Sequence, residues 1–246
     1  VAESVIQEER RKGHRILADR LTKSLRLNKT GINRNMSSKY DGKNDAHNDL
    51  SYEVIPERDL ESLILSQDIY EQCKEIIEEQ HRSELLHAYN FRARNRVLLA
   101  GPPGNGKTTL AEALASELMY PLIIVRYETL VGSYLGETAS RLKRLLDYVR
   151  TQRCVLFFDE FETLGKERGD TYETGEIKRV VSSLLLQIDD LPDYVVVVAA
   201  SNHPELLDRA AWRRFQVRLE LPLPTRRQLT QHIASIAERC QTNFGY

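Results

Sequence analysis

Cysteine is scarce in this sequence, and so are long apolar runs. The three cysteines, Cys73, Cys154 and Cys240, are odd in number and far apart, so they match neither a disulfide framework nor a metal-ligand cluster. No apolar stretch approaches the ~20 residues that a membrane-spanning helix needs, and no secretory signal opens the chain. We therefore expect reduced thiols, no membrane segment and a cytoplasmic location.

An excess of charge of either sign is also missing. The 35 basic and 36 acidic residues give a net charge of -1, so there is no electrostatic case for nucleic acid or an anionic membrane as a partner. The six histidines are scattered, and no H-E-x-x-H sequence is present, which excludes a built-in zinc protease of that type.

Strand and helix patterns alternate along most of the chain. Apolar or alternating runs predict five strands, one ending before Gly101 and the others at 122–125, 154–158, 194–200 and 215–221. Apolar residues at helical spacing predict helices between these runs, including a helix face with Leu142, Leu145, Leu146 and Val149. This alternation predicts an α/β fold with helices packed on a mostly parallel sheet.

Composition divides the chain into four segments. The first segment has apolar residues at helical spacing, and a polar stretch follows it. A capping box at Thr225 and Gln228 predicts the start of the last helix. The predicted segments are an accessory helix (1–27), a polar linker (28–58), a core (59–224) that begins with a helical lead-in (59–94), and the start of a C-terminal helical segment (225–246).

A phosphate-binding loop follows the first strand of the core. Gly101, Gly106, Lys107 and Thr108 fill the fixed positions of G-x-x-x-x-G-K-[ST] between a strand and a helix. Glycines let backbone amides surround phosphate oxygens, and the first helical turn adds unpaired N–H groups. Lys107 can reach the terminal phosphates of ATP, and the Thr108 hydroxyl is the expected ligand of Mg²⁺. The nucleotide-binding residues are then Gly101, Pro102, Pro103, Gly104, Asn105, Gly106, Lys107, Thr108 and Thr109.

Two carboxylates directly follow the strand at 154–158. Asp159 and Glu160 would lie at the carboxyl edge of a parallel sheet, where α/β proteins bind ligands. Asp159 would hold Mg²⁺, directly or through water, and Glu160 would polarise the water that attacks the γ-phosphate. An acidic pair alone is more often a solvated turn, but the upstream phosphate-binding loop favours the catalytic interpretation.

Two further sites carry suitable side chains. Asn202 follows the strand at 194–200 and could hold the attacking water or the γ-phosphate, although asparagine in this position is commonly a turn residue. Arg213 and Arg214 precede the fifth strand and could stabilise charge on a transferring phosphoryl group. An isolated arginine pair is more often a surface pair or a salt bridge.

The order and spacing of four segments resemble the AAA+ ATPase family over about residues 60–235. The segments are GPPGNGKTT, LFFDE, the strand that ends in Ser201 and Asn202, and LLDRAAWRRF. The resemblance implies a P-loop NTPase three-layer sandwich with a mostly parallel five-stranded sheet, ordered 5-1-4-3-2 by strand sequence. It also implies a homo-hexameric ring, sensor 1 at Asn202, and Arg213 and Arg214 as arginine fingers acting across a subunit boundary. A C-terminal helical lid would be truncated, since the chain ends soon after Pro224.

Within this family, the loop SYLGET resembles the pore loop of members that pull on protein substrates. Tyr134 and Leu135 would then contact the substrate, whereas the alternative for Tyr134 is ordinary packing. The narrowest resemblance is to bacterial members encoded beside subtilisin-like serine proteases, which implies such a protease as a partner. The sequence thus predicts an ATP- and Mg²⁺-dependent ring that remodels, unfolds or translocates proteins. The alternative is an ATP-dependent assembly switch that acts on a protein or DNA partner without processive translocation.

Overall fold

The sheet is the centre of the fold. The computed structural model of the chain describes residues 50–126, 135–164, 182–207 and 209–240. The predicted accessory helix over 1–27 and most of the predicted linker over 28–58 lie outside these ranges. Six strands form one sheet within them: β1 (Ser51–Val54), β2 (Arg96–Ala100), β3 (Leu122–Val125), β4 (Cys154–Phe158), β5 (Val195–Ser201) and β6 (Val217–Glu220).

The strand order is β1-β3-β4-β5-β2-β6, and every pair from β3 to β6 is parallel. The five predicted strands are β2 to β6, so the order 5-1-4-3-2 implied by the resemblance is confirmed. In register, Ala100 lies beside Ser201 and Phe158 beside Ala199. The carboxyl ends of β2, β5 and β4 therefore meet at one edge of the sheet.

The prediction of five strands is wrong by one. β1 pairs antiparallel with β3, with Ser51 beside Val125, although these residues were assigned to the polar linker over 28–58. Leu50 is buried, and the Arg126 guanidinium lies 4.9 Å from the ring centre of Tyr52. A four-residue edge strand needs its neighbour for hydrogen bonds and burial, so its own composition gives little signal.

Seven helices are present in the described ranges, joined by short 3₁₀ turns at Leu60–Ser62, Phe161–Leu164 and Pro204–Leu206. None of them combines the length and apolarity needed to cross a bilayer. The helices are α1 (Gln67–His81), α2 (Ser83–Ala88), α3 (Lys107–Leu118), α4 (Leu135–Val149), α5 (182–189), α6 (Arg209–Arg214) and α7 (Arg226–Cys240).

Helices cover both faces of the sheet. Alternate strand residues such as Val155 and Phe157 pack with α1 and α3 on one face. Leu156 and Phe158 pack with α4 and α5 on the other face. All five residues of β4 are buried for this reason, which explains its continuous apolar run. The three-layer α/β sandwich is confirmed.

Local signals account for several helix boundaries. The predicted capping box is present, since Thr225 N donates to Gln228 Oε1 at 2.9 Å and Gln228 N donates to Thr225 Oγ1 at 3.3 Å. The helical lead-in consists of α1 and α2, which are interrupted at Arg82. α3 begins at Lys107, where the phosphate-binding motif predicts the start of a helix.

Two of the cysteines are buried free thiols. Cys73 lies on the buried face of α1, Cys154 is the first residue of β4, and neither forms a disulfide. Burial raises the pKa of each thiol to about 12, so both remain protonated near neutral pH. These residues serve as small core side chains, whereas the Cys240 side chain lies outside the described part.

Candidate active site

Three strand ends converge at the carboxyl edge of the sheet. Gly101 follows β2, Asp159 follows β4, and Asn202 follows β5, which lies between the other two strands. Gly101 N donates a 3.2 Å hydrogen bond to Ser201 O, which fastens the first of these segments to the last. The fold therefore brings together the phosphate-binding loop, the acidic pair and the predicted sensor asparagine.

Glycine is required where the phosphate-binding loop leaves β2. A Cβ on Gly101 would lie 2.2 Å from the backbone oxygen of Leu221, just past the end of β6, and the residue has φ of 151°. Gly106 has φ of 80° and immediately precedes α3, so the backbone turns sharply into the helix N-terminus. Leu110 N already donates to Gly106 O, while the earlier amides of the loop can face an anion.

The Asn105 side chain ties the loop to the segment after β6. Its Nδ2 donates to the backbone oxygens of Leu221 at 2.9 Å and Pro222 at 2.8 Å. The sequence motif assigns Asn105 to the loop without indicating this contact. Pro102, Pro103, Gly104 and Thr109 complete the loop and the first turn of α3.

Lys107 is buried, with 6% of its surface exposed. Its Nζ donates to the backbone oxygens of Gly101 at 2.7 Å and Pro102 at 2.9 Å, so the ammonium group lies against the loop itself. Burial lowers the pKa of Lys107, while the nearby carboxylates of Asp159 and Glu162 oppose that shift. A weakly hydrated cation at this point favours binding of a phosphate.

Thr108 and Asp159 meet across the site. Thr108 Oγ1 donates to Asp159 Oδ2 at 3.2 Å, and Asp159 Oδ1 accepts from Glu160 N at 2.9 Å. Asp159 therefore contacts the phosphate-binding loop with one oxygen and fixes the turn after β4 with the other. The two residues assigned to Mg²⁺ lie within hydrogen-bond distance of each other.

The Glu160 backbone is held in a strained conformation. Its φ of 44° is in the left-handed region, which costs an ordinary residue about 1 kcal/mol or more. Thr163 donates to Glu160 O from both N and Oγ1, each at 2.8 Å. Phe161 packs edge-on against Phe158 at 5.8 Å and Phe215 at 5.6 Å between ring centres, which anchors the turn in the core. The Glu160 side chain remains exposed.

A carboxylate that the sequence analysis did not single out lies beside Asn202. Glu162 is 2% exposed, and its Oε1 accepts from Asn202 N at 3.1 Å. The neighbouring Ser201 Oγ accepts from His203 N at 3.2 Å. Nothing in the sequence distinguishes Glu162 from a solvent-facing residue of the turn, since the contact joins segments 40 residues apart.

Arg213 and Arg214 lie at the opposite edge of the sheet. Both precede β6, where Gln216 N donates to Arg96 O at the amino end of β2. The Arg214 guanidinium forms an ion pair with Asp189, which also contacts Arg96 Nη1 at 2.5 Å. Arg213 is exposed and forms no hydrogen bond or ion pair with the described part of the chain. A five-residue strand spans about 16 Å, so neither arginine reaches its own phosphate-binding loop.

The predicted pore-loop residues fall at the margin of the described chain. Tyr134 lies outside the described residues, and Leu135 is the first residue of α4, with its side chain also outside them. Their predicted role therefore stays a prediction.

The family model described as "ATPase family associated with various cellular activities (AAA)" matches residues 97–223, just over half of the chain. This region includes the arginine pair and the strand ends that carry the phosphate-binding loop, the acidic pair and Asn202, which together form the catalytic edge. The chain belongs to the AAA family of ATPases.

Relatives of this chain include a bacterial and an archaeal protein. A protein described as an uncharacterized AAA family ATPase, y4kL, from Sinorhizobium fredii is 38% identical over 220 residues, covering 87% of this chain and 66% of that one. A putative 26S proteasome regulatory subunit homolog from Methanothermobacter thermautotrophicus is 37% identical over 135 residues. That match covers 54% of this chain and 36% of the relative. The chain thus spans about two thirds of the first relative and about a third of the second.

A solved AAA structure shares the fold. The AAA domain of FIGL-1, crystallised in complex with ADP, has a TM-score of 0.64 and 25% sequence identity. The similarity covers 80% of this chain and 68% of that chain. The P-loop NTPase architecture of the present AAA domain is therefore confirmed.

Proposed function

We propose that this AAA domain binds ATP together with Mg²⁺ and hydrolyses the bond between the β- and γ-phosphates. The observation that carries the proposal is the 3.2 Å contact between Thr108 Oγ1 and Asp159 Oδ2. The two residues are 51 positions apart, and only the parallel sheet brings them together. An acidic pair in an ordinary solvated turn would not be expected to contact the hydroxyl of a phosphate-binding loop.

The donor atoms at this point suit Mg²⁺. This ion prefers oxygen ligands and usually takes one or two from the protein, with phosphates and water supplying the rest. Thr108 and Asp159 supply a hydroxyl and a carboxylate oxygen. We therefore assign Mg²⁺ to Thr108 and Asp159, where it would offset negative charge on the phosphate oxygens.

The remaining side chains divide the chemistry between them. Lys107 would exchange its two backbone acceptors for phosphate oxygens, because a phosphate is the stronger partner for a buried ammonium. Glu160 has a fixed backbone and an exposed side chain. Both features suit a general base that must contact a water molecule and accept a proton from it. Asn202 directly follows β5, the strand between β4 and β2, where its uncharged amide can orient that water without competing as a base.

The position of the arginine pair supports action between subunits. Arg213 and Arg214 lie a strand length away from their own phosphate-binding loop, so any contact with ATP must involve a neighbouring copy. A head-to-tail arrangement in which each subunit supplies an arginine to the next closes into a ring. We therefore propose a homo-oligomeric ring, with six subunits as the expected number. Arg213, exposed and unpaired among the described residues, is the better candidate for the finger, since Arg214 is engaged by Asp189.

We further propose that the ring acts on protein substrates. Support comes from the relative described as a proteasome regulatory subunit homolog and from the sequence SYLGET, in which Leu135 is the first residue of α4. An aromatic ring can grip an extended polypeptide through apolar contact that requires no particular sequence. A partner protease, expected to be subtilisin-like, would then degrade the unfolded chain.

Replacing Tyr134 by alanine should separate pulling from hydrolysis. We expect Tyr134→Ala to keep ATP hydrolysis within a few-fold of the unmodified protein and to abolish unfolding of a tagged model substrate, because only the grip is lost. Tyr134→Phe should retain most unfolding, since the ring rather than the hydroxyl makes the contact. Phosphate release and loss of substrate fluorescence should be followed in parallel.

Tyr89→Ala is the matched control for this experiment. Tyr89 is 70% exposed at the end of α2 and belongs to no part of the site, so its removal should change neither activity. Substrate unfolding by Tyr134→Ala at the unmodified rate would contradict the pore-loop assignment and favour an ATP-dependent assembly switch.

A further inference from the structure

Glu162 is an acidic side chain enclosed by the turn after β4. It belongs to the 3₁₀ turn Phe161–Leu164 and is 2% exposed, although charged side chains are rarely buried without a specific partner. Its Oε1 accepts the backbone N–H of Asn202 at 3.1 Å. The turn that carries Glu160 is thereby joined to the end of β5.

The second carboxylate oxygen of Glu162 provides an independent observation. Oε2 is buried and has no hydrogen-bond donor among the described residues. A buried polar atom without a partner destabilises the fold, more so when it is charged, so a turn selected only for stability would favour a different side chain. The carboxylate of Glu162 is also close enough to Lys107 to oppose the lowering of the lysine pKa by burial.

We propose that Glu162 is a positioning residue that holds Asn202 at a fixed position relative to Glu160 at the catalytic edge. The inference rests on the proposed ATP hydrolysis, which it deepens. The hydrogen bond fixes the Asn202 main chain, and the direction of the Asn202 side chain follows from it. Because Glu162 is two residues from Glu160, one carboxylate sets the distance between the base and the amide that orients the water.

Misplacing a catalytic group by about 1 Å can lower a rate ~100-fold without changing ground-state binding. Loss of the contact should therefore lower kcat and leave KM and ATP affinity nearly unchanged. A residue that only stabilised the fold would reduce the active fraction or alter binding as well. This difference allows a positioning role to be distinguished from a structural one.

The test compares two variants of Glu162. Glu162→Ala removes the acceptor, and we expect a 10- to 100-fold lower kcat with ATP affinity within about threefold. Glu162→Gln keeps an acceptor oxygen and nearly the same volume, so it should recover most of kcat. Glu205→Ala and Glu205→Gln are the controls, because Glu205 is an exposed carboxylate three residues past Asn202 that pairs with His203, and both should leave kcat unchanged.

A second measurement does not depend on activity. Hydrogen exchange of the Asn202 amide should be slow in the unmodified chain, at least tenfold faster in Glu162→Ala, and slow again in Glu162→Gln. Faster exchange confined to this amide would also show that the variant remains folded elsewhere. If the unmodified chain hydrolyses no ATP, the proposed function fails, while the exchange data still decide whether Glu162 holds Asn202.

Three results would overturn the inference. The first is ATP hydrolysis by Glu162→Ala at the unmodified rate. The second is an equal loss of activity in Glu162→Ala and Glu162→Gln, which would show that the hydrogen bond from Asn202 N does not explain the loss. Unchanged exchange of the Asn202 amide in Glu162→Ala would show that the contact does not hold the strand end. A recovered kcat and slow exchange in Glu162→Gln, with losses in Glu162→Ala, would support it.

Discussion

Replacing Glu160 by glutamine should stop ATP turnover while ATP remains bound. Glutamine has almost the same size as glutamate but cannot accept a proton from water, and general-base catalysis typically contributes 10²- to 10⁴-fold. We therefore expect phosphate release to fall at least ~100-fold. The affinity for ATP should stay within a few-fold, because Lys107, Thr108 and the loop amides are unchanged. Single-turnover phosphate release and equilibrium binding of a fluorescent ATP analogue measure the two quantities.

Glu84→Gln is a suitable control for this variant. Glu84 is an exposed carboxylate on α2 and belongs to none of the segments that form the site, so its loss should not affect turnover. Turnover by Glu160→Gln within a few-fold of the unmodified rate would show that another group activates the water. Loss of ATP binding would instead show that the Glu160 side chain supports the loop.

Removing the Arg213 guanidinium should lower hydrolysis far more than binding. An arginine finger acts on charge that develops in the transition state and can contribute ~10³-fold or more in rate. Arg213→Ala should therefore lose about three orders of magnitude in kcat at nearly unchanged ATP affinity. Arg213→Lys should recover only a small part, because lysine keeps the charge but lacks the planar fork. Arg92→Ala, which removes another exposed arginine before β2, is the control.

Mixing variants tests whether Arg213 acts across a subunit boundary. Arg213→Ala subunits keep an intact Glu160, and Glu160→Gln subunits keep an intact arginine. Some interfaces in a mixed ring would then combine both intact residues, and activity should return in part. A mixture as inactive as its components, with mixed rings confirmed by native mass spectrometry, would contradict action between subunits.

Arg214 should behave differently from Arg213. Its pairing with Asp189, which also contacts Arg96, ties α6 to α5 and to the start of β2. Arg214→Ala leaves Asp189 with one partner fewer and is expected to affect stability as well as turnover. The sequence presents the two arginines as equivalent neighbours, and only the fold separates them.

The elements that carry periodic apolar residues were predictable from the sequence. β4 and β5 are continuous apolar runs because both of their faces are covered, α4 shows one buried stripe, and α3 is buried around most of its surface. The phosphate-binding loop was also predictable, since its glycines and Lys107 are required at fixed spacing by local geometry. The strand order followed from the family resemblance, and the sheet confirms it.

Features that depend on distant segments were not predictable. β1 is only four residues long, and it is stabilised by β3, about seventy residues later, so no local pattern marks it. The contact between Glu162 and Asn202 and the pair formed by Arg214 and Asp189 likewise join segments whose proximity only the folded sheet creates. The strained φ of Glu160 has no sequence signature, because glutamate rarely adopts this conformation.

The most direct measurement is phosphate release from ATP by the unmodified chain, with Mg²⁺ and after its chelation, beside nucleotide binding by Lys107→Ala. Turnover should require Mg²⁺, and Lys107→Ala should bind no ATP at concentrations that saturate the unmodified chain, since the buried ammonium supplies the main cation for the terminal phosphates. Binding of ATP by Lys107→Ala at the unmodified affinity, or phosphate release that does not depend on Mg²⁺, would contradict the assignment of this edge as the ATPase site.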